Sequence, residues 1–243
     1  MYTDLSKLQN YYLCFASFSF AGAVLISLLE VVLGSDFLFV RKTTEIFLGI
    51  NSLCVLYFLL ARNFDTKLIW WALVTFFTTL ILEIIRANIG LVFGEYEYGS
   101  VVALKVLGVS LLVGILWVLI ILASIRLAKK TQTNLLTQFF LAGLVTVTAD
   151  IIIEPITIHL DYWRWPNDTV PLQNYLTWYI ITVVFATFYK IFKIWIDSNL
   201  MKHFFFLKIN FLSFLNLINF CNLNSIICTK LVFVGHTEQA KQL

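Results

Sequence analysis

The chain has 243 residues, of which 60% are hydrophobic and 13% are charged, and its mean hydropathy is +0.88. A soluble domain has about a quarter of its residues charged, so much of this surface must face lipid instead of water. The net charge is only +3 and the basic residues lie in short scattered clusters, which argues against nucleic acid as a partner.

Seven apolar segments are each close to the roughly 20 residues needed to cross the hydrocarbon. They cover residues 11–33, 44–61, 68–89, 101–127, 135–160, 175–196 and 203–220. The first is too long for a signal-peptide core, so we interpret it as a span. We therefore predict an all-α fold, a polytopic transmembrane bundle of about seven spans. Residues 1–200 form its main domain; five asparagines interrupt residues 201–243, where we expect a last apolar helix and an atypical, dispensable tail.

The charged linkers predict the orientation. With the N-terminus inside, nine Lys and Arg residues lie on the cytoplasmic side and three on the other, as the positive-inside rule requires. The expected location is the inner (cytoplasmic) membrane of the cell. The four cysteines lie singly in apolar runs and histidine is rare, so we expect buried hydrophobes and no metal site.

Four acids fall inside the predicted spans: Glu30, Glu83, Asp150 and Glu154. An ionised carboxylate at membrane depth costs at least about 2.5 kcal/mol, so each is a candidate functional group. Each lies about 24–30 Å from the cytoplasmic start of its span, which predicts one polar site near the outer leaflet. Glu30 is close enough to its helix end to reach the headgroups, and we favour that role for it.

Asp150 and Glu154 are harder to explain structurally. They share a helix face, where two carboxylates repel each other unless one is protonated or both are bound. Pro155 follows directly and removes a backbone donor, which predicts a bend beside the acids. Glu83 has a structural alternative, which is an ion pair with Arg86 three residues later.

Two loops on the predicted outer side combine aromatic and acidic residues. Residues 93–99 read FGEYEYG, and residues 161–168 read DYWRWPND. An aromatic belt at the interface accounts for part of this composition. It does not explain why both loops lie on the side where the carboxylates cluster.

Three ordered stretches carry a family resemblance. They are Glu83 with Asn88, Gly90, Phe93-Gly94 and Tyr96-x-Tyr98; Asp150-x-x-x-Glu154-Pro155 with Tyr162-Trp163-x-Trp165; and Pro171-x-x-Asn174-Tyr175-x-x-Trp178. Together they resemble the carotenoid biosynthesis membrane family of CruF-type carotenoid 1′,2′-hydratases, over about residues 68–189. Arg86, Ser110 and Leu116 depart from the family pattern, and Arg86 puts a cation beside the expected site.

The resemblance implies hydration of the terminal double bond of an acyclic ψ-end group, as in lycopene or γ-carotene. We expect Asp150 or Glu154 to be the general acid, because a desolvated carboxyl can stay protonated near neutral pH, and Glu83 to handle the water. No cofactor is expected. The substrate-binding candidates are polar orienting groups and aromatic rings that stabilise a cation: Asn88, Asn174, Tyr96, Tyr98, Trp163, Trp165 and Trp178. The expected partners are the membrane-dissolved carotene, the bilayer and other carotenoid-pathway enzymes.

Two alternatives come from other classes of protein. A transporter or channel would use the acids as a proton or cation relay, although it would predict paired broken helices that we do not find in the sequence. A retinal-binding seven-helix protein would use Lys208 in the last segment for a Schiff base.

Overall fold

Seven helices make up most of the chain that the computed structural model describes, namely residues 2–33, 38–62, 65–89, 97–99, 105–166, 169–194, 196 and 200–239. Only the backbone is described at 2–6, 31, 38, 41–42, 45, 62, 86–89, 97–98, 219 and 221–239. The helices are α1 (Tyr2–Val32), α2 (Leu38–Arg62), α3 (Thr66–Ile89), α4 (Leu111–Lys129), α5 (Leu135–His159), α6 (Leu172–Ile191) and α7 (Leu200–Gln239). The predicted all-α bundle is confirmed.

The helices have the length and the surface of membrane spans. Among the described residues, four are long and apolar enough to cross a bilayer: Lys7–Glu30, Thr66–Ile85, Leu111–Lys129 and Leu135–His159. A shorter apolar stretch covers Ile46–Ala61. Large apolar side chains such as Phe18, Trp70 and Leu136 are exposed on the outside of the bundle. Such apolar side chains are stable in contact with lipid. The helices also satisfy their own backbone hydrogen bonds, as a membrane span must.

Helices α4 and α5 form the centre of the bundle. Helix α4 packs against α2, α3, α5, α6 and α7, and α5 packs against α4, α6 and α7. Small and hydroxyl residues allow the close approach: a Cβ on Gly143 would lie 2.6 Å from the ring of Tyr179, and Thr146 Oγ1 donates to Ser124 Oγ at 2.9 Å. Helix α5 begins at a conventional cap, where Asn134 Oδ1 accepts from Thr137 N at 2.9 Å.

The predicted fourth span, 101–127, begins too early. Helix α4 starts at Leu111, and the residues before it form a hairpin of β2 (Lys105–Val106) and β3 (Val109–Ser110). Leu107 and Gly108 both have positive φ, at 49° and 86°, which is the backbone of a two-residue hairpin turn. Hydropathy does not separate this turn from the span because Val106, Leu107 and Val109 merge with the apolar helix that follows.

The end of the sixth span and the extent of the seventh also differ from prediction. Helix α6 ends at Ile191 instead of continuing to 196, because the backbone of Lys193 turns at φ 53°. Helix α7 runs from Leu200 to Gln239, well beyond the predicted end at 220. Asn216, one of its asparagines, donates from Nδ2 to Ile152 O of α5 at 2.6 Å. This residue therefore holds α7 against α5.

Candidate functional site

Asp150 and Glu154 form the centre of a buried polar cluster. Both carboxyl groups lie on the inward face of α5, where Asp150 is 1% exposed and Glu154 is 3% exposed. Asn174, at the start of α6, donates from Nδ2 to Asp150 Oδ2 at 2.8 Å and makes a longer contact of 3.5 Å with Glu154 Oε1. One amide thus bridges two acids that would otherwise repel each other. The helix is continuous through Pro155.

The second aromatic loop supplies donors to the same cluster. Trp163 Nε1 donates to Glu154 Oε2 at 2.8 Å, and Trp165 Nε1 donates to the same oxygen at 3.0 Å. Because an indole N–H can only donate, Oε2 must accept both bonds, one with each of its lone pairs. These tryptophans are therefore part of the polar cluster and not only members of an interface belt.

A short sheet joins the two aromatic loops. Strand β1 (Glu97–Tyr98) pairs antiparallel with β4 (Trp163–Arg164), which sets Tyr98 opposite Trp163. Gly99 N donates to Tyr162 O at 2.9 Å, and a Cβ on Gly99 would lie 1.7 Å from Asp161 O. Only glycine permits this approach. The motif beginning at Glu83 and the motif beginning at Asp150 meet at this ladder.

An apolar cavity adjoins the cluster, between α2, α4, α5 and α7. Its volume is about 60 Å³. Trp163 belongs to its wall and also donates to Glu154, so the indole separates the cavity from the carboxyl. Thr157 and Trp117 line it as well, and among the described lining residues neither Asp150 nor Glu154 appears. The two carboxyls therefore lie directly behind the cavity wall.

Lys208 of α7 brings an amine to the same place. Its side chain is 3% exposed, it lines the cavity, and it interacts electrostatically with Asp150. The cluster thus holds two acids and one base away from water. Sequence reasoning singled out Lys208 only as a Schiff-base candidate, because no pattern linked it to Asp150 fifty-eight residues earlier.

Trp178, the remaining tryptophan among the substrate-binding candidates, is buried near the cavity but does not line it. Trp178 is 1% exposed and stacks on Trp117 with ring centroids 3.5 Å apart. It is Trp117 that faces the cavity, since Trp178 is not among the described lining residues. Trp117 was missed because it sits in an otherwise aliphatic span without a motif around it.

Glu30 does not belong to the cluster. Its oxygens accept from the backbone N–H groups of Phe39 at 2.7 Å and Val40 at 3.2 Å, in the first turn of α2. It is 9% exposed, so the expectation that it reaches the headgroups is wrong. A carboxylate at a helix N-terminus satisfies orphan donors there and complements the helix dipole.

The candidates from the first motif, which begins at Glu83, are described only in part. Glu83 is buried on α3, which packs mainly on α4. Tyr96 lies outside the described residues, and only the backbone is described at Arg86, Asn88 and Tyr98. The expected Glu83–Arg86 pair and the role of Asn88 therefore stay predictions.

The family model for carotenoid biosynthesis proteins matches residues 43–235. The chain belongs to the carotenoid biosynthesis protein family. The match is wider than the motifs at 68–189 and includes most of α7, where the sequence looked atypical. Comparisons with curated proteins and with solved structures return no match.

Membership in this family assigns the chain to carotenoid biosynthesis, and its apolar helices make it a membrane protein. The match includes the whole hydrogen-bonded cluster, from Asp150 to Asn174, and also Lys208. The proposed division at residue 200 and the dispensability of the tail stay predictions.

Proposed function

We propose that this protein is a carotenoid hydratase, which adds water across the terminal double bond of a ψ-end group to give a tertiary alcohol. The observation that carries the proposal is the buried Asp150–Asn174–Glu154 cluster directly behind the wall of an apolar cavity. Acid-catalysed hydration needs a proton donor, an acceptor for the proton of water and an apolar place for the alkene. The cluster and the cavity supply all three.

The charges of the cluster favour one acid and one base. A buried group of charges is most stable when its net charge is zero. We propose that Lys208 carries its positive charge here, and neutrality then requires that one of Asp150 and Glu154 is a carboxylate and that the other keeps its proton. Lys208 therefore maintains the half-protonated pair that hydration requires. Tyr175, which interacts electrostatically with both acids, is neutral as a phenol and does not alter this balance.

The reaction then balances without an added reagent. The carboxylic acid O–H bond breaks and a C–H bond forms at the terminal alkene, which leaves a tertiary carbocation. The oxygen of water forms a bond to that carbon, and the carboxylate takes the proton that water loses. Alkene and water give alcohol, and the pair has exchanged its proton. Asp150 and Glu154 are the donor and acceptor, and Glu83 is the candidate for placing the water.

The substrate is a carotene dissolved in the bilayer, of which the cavity admits the end group. A space of about 60 Å³ is smaller than a typical small-molecule site, so its wall must open to admit the end group while the rest of the polyene extends into lipid. Trp117 and Trp163 line this space, and aromatic faces stabilise a cation. Movement of the Trp163 indole from the wall would bring the alkene to Glu154.

From the Lys and Arg distribution we also propose that the N-terminus lies inside and that this site lies towards the outer leaflet of the cytoplasmic membrane. Expression of the chain in a lycopene-producing bacterium, followed by mass analysis of the pigments, tests the activity. A gain of one water is expected. An isomer of unchanged mass would indicate a cyclase instead, and unchanged lycopene in cells that accumulate the protein would contradict the proposal for this substrate.

A second candidate function rests on Lys208 alone. A buried amine that lines an apolar cavity beside a carboxylate is suited to condense with an apolar aldehyde, forming an imine and releasing water. Retinal is the aldehyde expected for the retinal-binding alternative described in the sequence analysis. Reduction with borohydride in the presence of retinal would attach it to Lys208 if this function is correct, and would leave Lys208 unmodified in a hydratase.

A further inference from the structure

A second cavity lies at the opposite end of the bundle, between the C-terminal ends of α4 and α6 and the start of α5. Its volume is about 200 Å³. Phe139 in its wall precedes Asp150 by a separation along the helix axis of about 17 Å, so the two cavities are distinct. No part of the proposed hydratase chemistry uses it.

The second cavity is amphipathic. Its exposed edge carries three lysines, Lys129, Lys190 and Lys193, and none of the described residues that line it is acidic. Its buried wall is apolar and includes Ile125 and Ala186. Ammonium groups around an apolar recess match a ligand with an anionic head and a hydrocarbon body.

A buried phenol, Tyr189, and a further cation, Arg126, lie beside this cavity. Tyr189 is 5% exposed and lines the cavity, and its hydroxyl interacts with the guanidinium of Arg126. The carboxylate of Asp65 also acts on Tyr189 from the start of α3, but it is not part of the described wall. The local charge is therefore positive on balance.

The backbone of Lys193 indicates that its position is not incidental. Its φ is 53°, where glycine is favoured. Lys193 N bonds to Lys190 O at 3.0 Å and Ile194 N bonds to Tyr189 O at 3.1 Å, which is the helix ending that usually places glycine at this residue. A lysine here costs conformational energy, and both Lys193 and Ile194 line the cavity that this turn closes.

We propose that this cavity binds the phosphate headgroup of an anionic phospholipid from the adjacent leaflet. The three ammonium groups donate charge-assisted hydrogen bonds to phosphate oxygens, and the apolar wall holds the beginning of an acyl chain. Lysines are common on the cytoplasmic side of membrane proteins. The prediction is therefore that only the lysines that line the cavity contribute to lipid binding, and that other lysines on the same side do not.

The test measures binding of dioleoylphosphatidylglycerol to the purified full-length protein by native mass spectrometry. Replacing Lys129, Lys190 and Lys193 together with glutamine should weaken binding about a hundredfold, because each lysine contributes roughly fivefold. The matched control replaces Lys7, Lys67 and Lys130, which carry the same charge on the same predicted side and do not line the cavity. It should change the affinity by less than about threefold, and an equal loss in both variants would overturn the proposal.

A single variant separates binding from folding. Lys193→Gly keeps the turn, removes its strain and removes one ammonium, so it should weaken lipid binding about fivefold while the unfolding temperature stays the same or rises. Inorganic phosphate gives the other arm of the test. If phosphate alone raises the unfolding temperature as much as the lipid does, the ligand is a soluble anion and the lipid assignment is wrong.

Discussion

The amide of Asn174 donates to the carboxyl group of Asp150 at 2.8 Å across the interface between α5 and α6. Asn174→Leu keeps a similar volume and removes this donor, which leaves two buried acids without their bridge. We expect a loss of about 2 kcal/mol in stability, seen as a lower unfolding temperature of the purified protein. Gln173→Leu, at the exposed neighbouring position, is the control and should change the temperature little. Equal stability of the two variants would show that the bridge is not needed.

The acid pair should be essential for chemistry. Asp150→Asn and Glu154→Gln keep the shape of each side chain but remove a transferable proton or its acceptor, so each should lower pigment conversion by about 10²–10⁴. Glu30→Gln is the comparison, because Glu30 caps α2 and lies outside the cluster. It should cost about 1 kcal/mol of stability while the folded protein keeps its conversion rate. Full activity of both pair variants would remove the proposed mechanism.

Lys208 should set the protonation of the pair. In Lys208→Met the neutral state of the two remaining acids is fully protonated, so no base is left and conversion should fall at least about a hundredfold. Infrared spectroscopy should show one protonated carboxyl in the parent cluster and two in the variant. Lys208→Arg keeps the charge and should retain the parent spectrum. An unchanged carboxyl spectrum in Lys208→Met would show that Lys208 does not control the pair.

Gly99 should be intolerant of a side chain. In Gly99→Ala the new Cβ would lie 1.7 Å from Asp161 O, so the β1–β4 ladder must open and Trp163 must move from Glu154. We expect reduced accumulation and a large loss of conversion. Gly22→Ala is the matched control, because nothing lies within 4 Å of a Cβ at that position. Wild-type conversion in Gly99→Ala would mean that the ladder is not required for the site.

The orientation can be tested with single cysteines in a variant that lacks the four native ones. Thr169 follows the second aromatic loop and is exposed, whereas Lys130 is exposed at the other end of α4. An impermeant thiol reagent added outside intact cells should label Thr169→Cys and should label Lys130→Cys only after the cells are opened. The reverse pattern would place the N-terminus outside.

Much of this protein follows from its sequence, because lipid restricts what a chain can form. Apolar runs of span length must be helices that satisfy their own backbone bonds, so seven helices were predicted and seven are described. Asp150 and Glu154 share a face because four residues make about one helical turn. Their cost in lipid makes them candidates for function.

The tertiary structure decides which groups meet these acids. Asn174, Trp163 and Lys208 reach the pair from three different segments, and contacts between packed helices are not encoded in the periodicity of any one of them. The same reason accounts for Glu30. Its depth resembles that of Asp150 and Glu154, but its oxygens accept hydrogen bonds from the start of α2, which only the tertiary structure reveals. Depth along a helix follows from counting residues, whereas the partner of a buried charge depends on how the helices are rotated and packed.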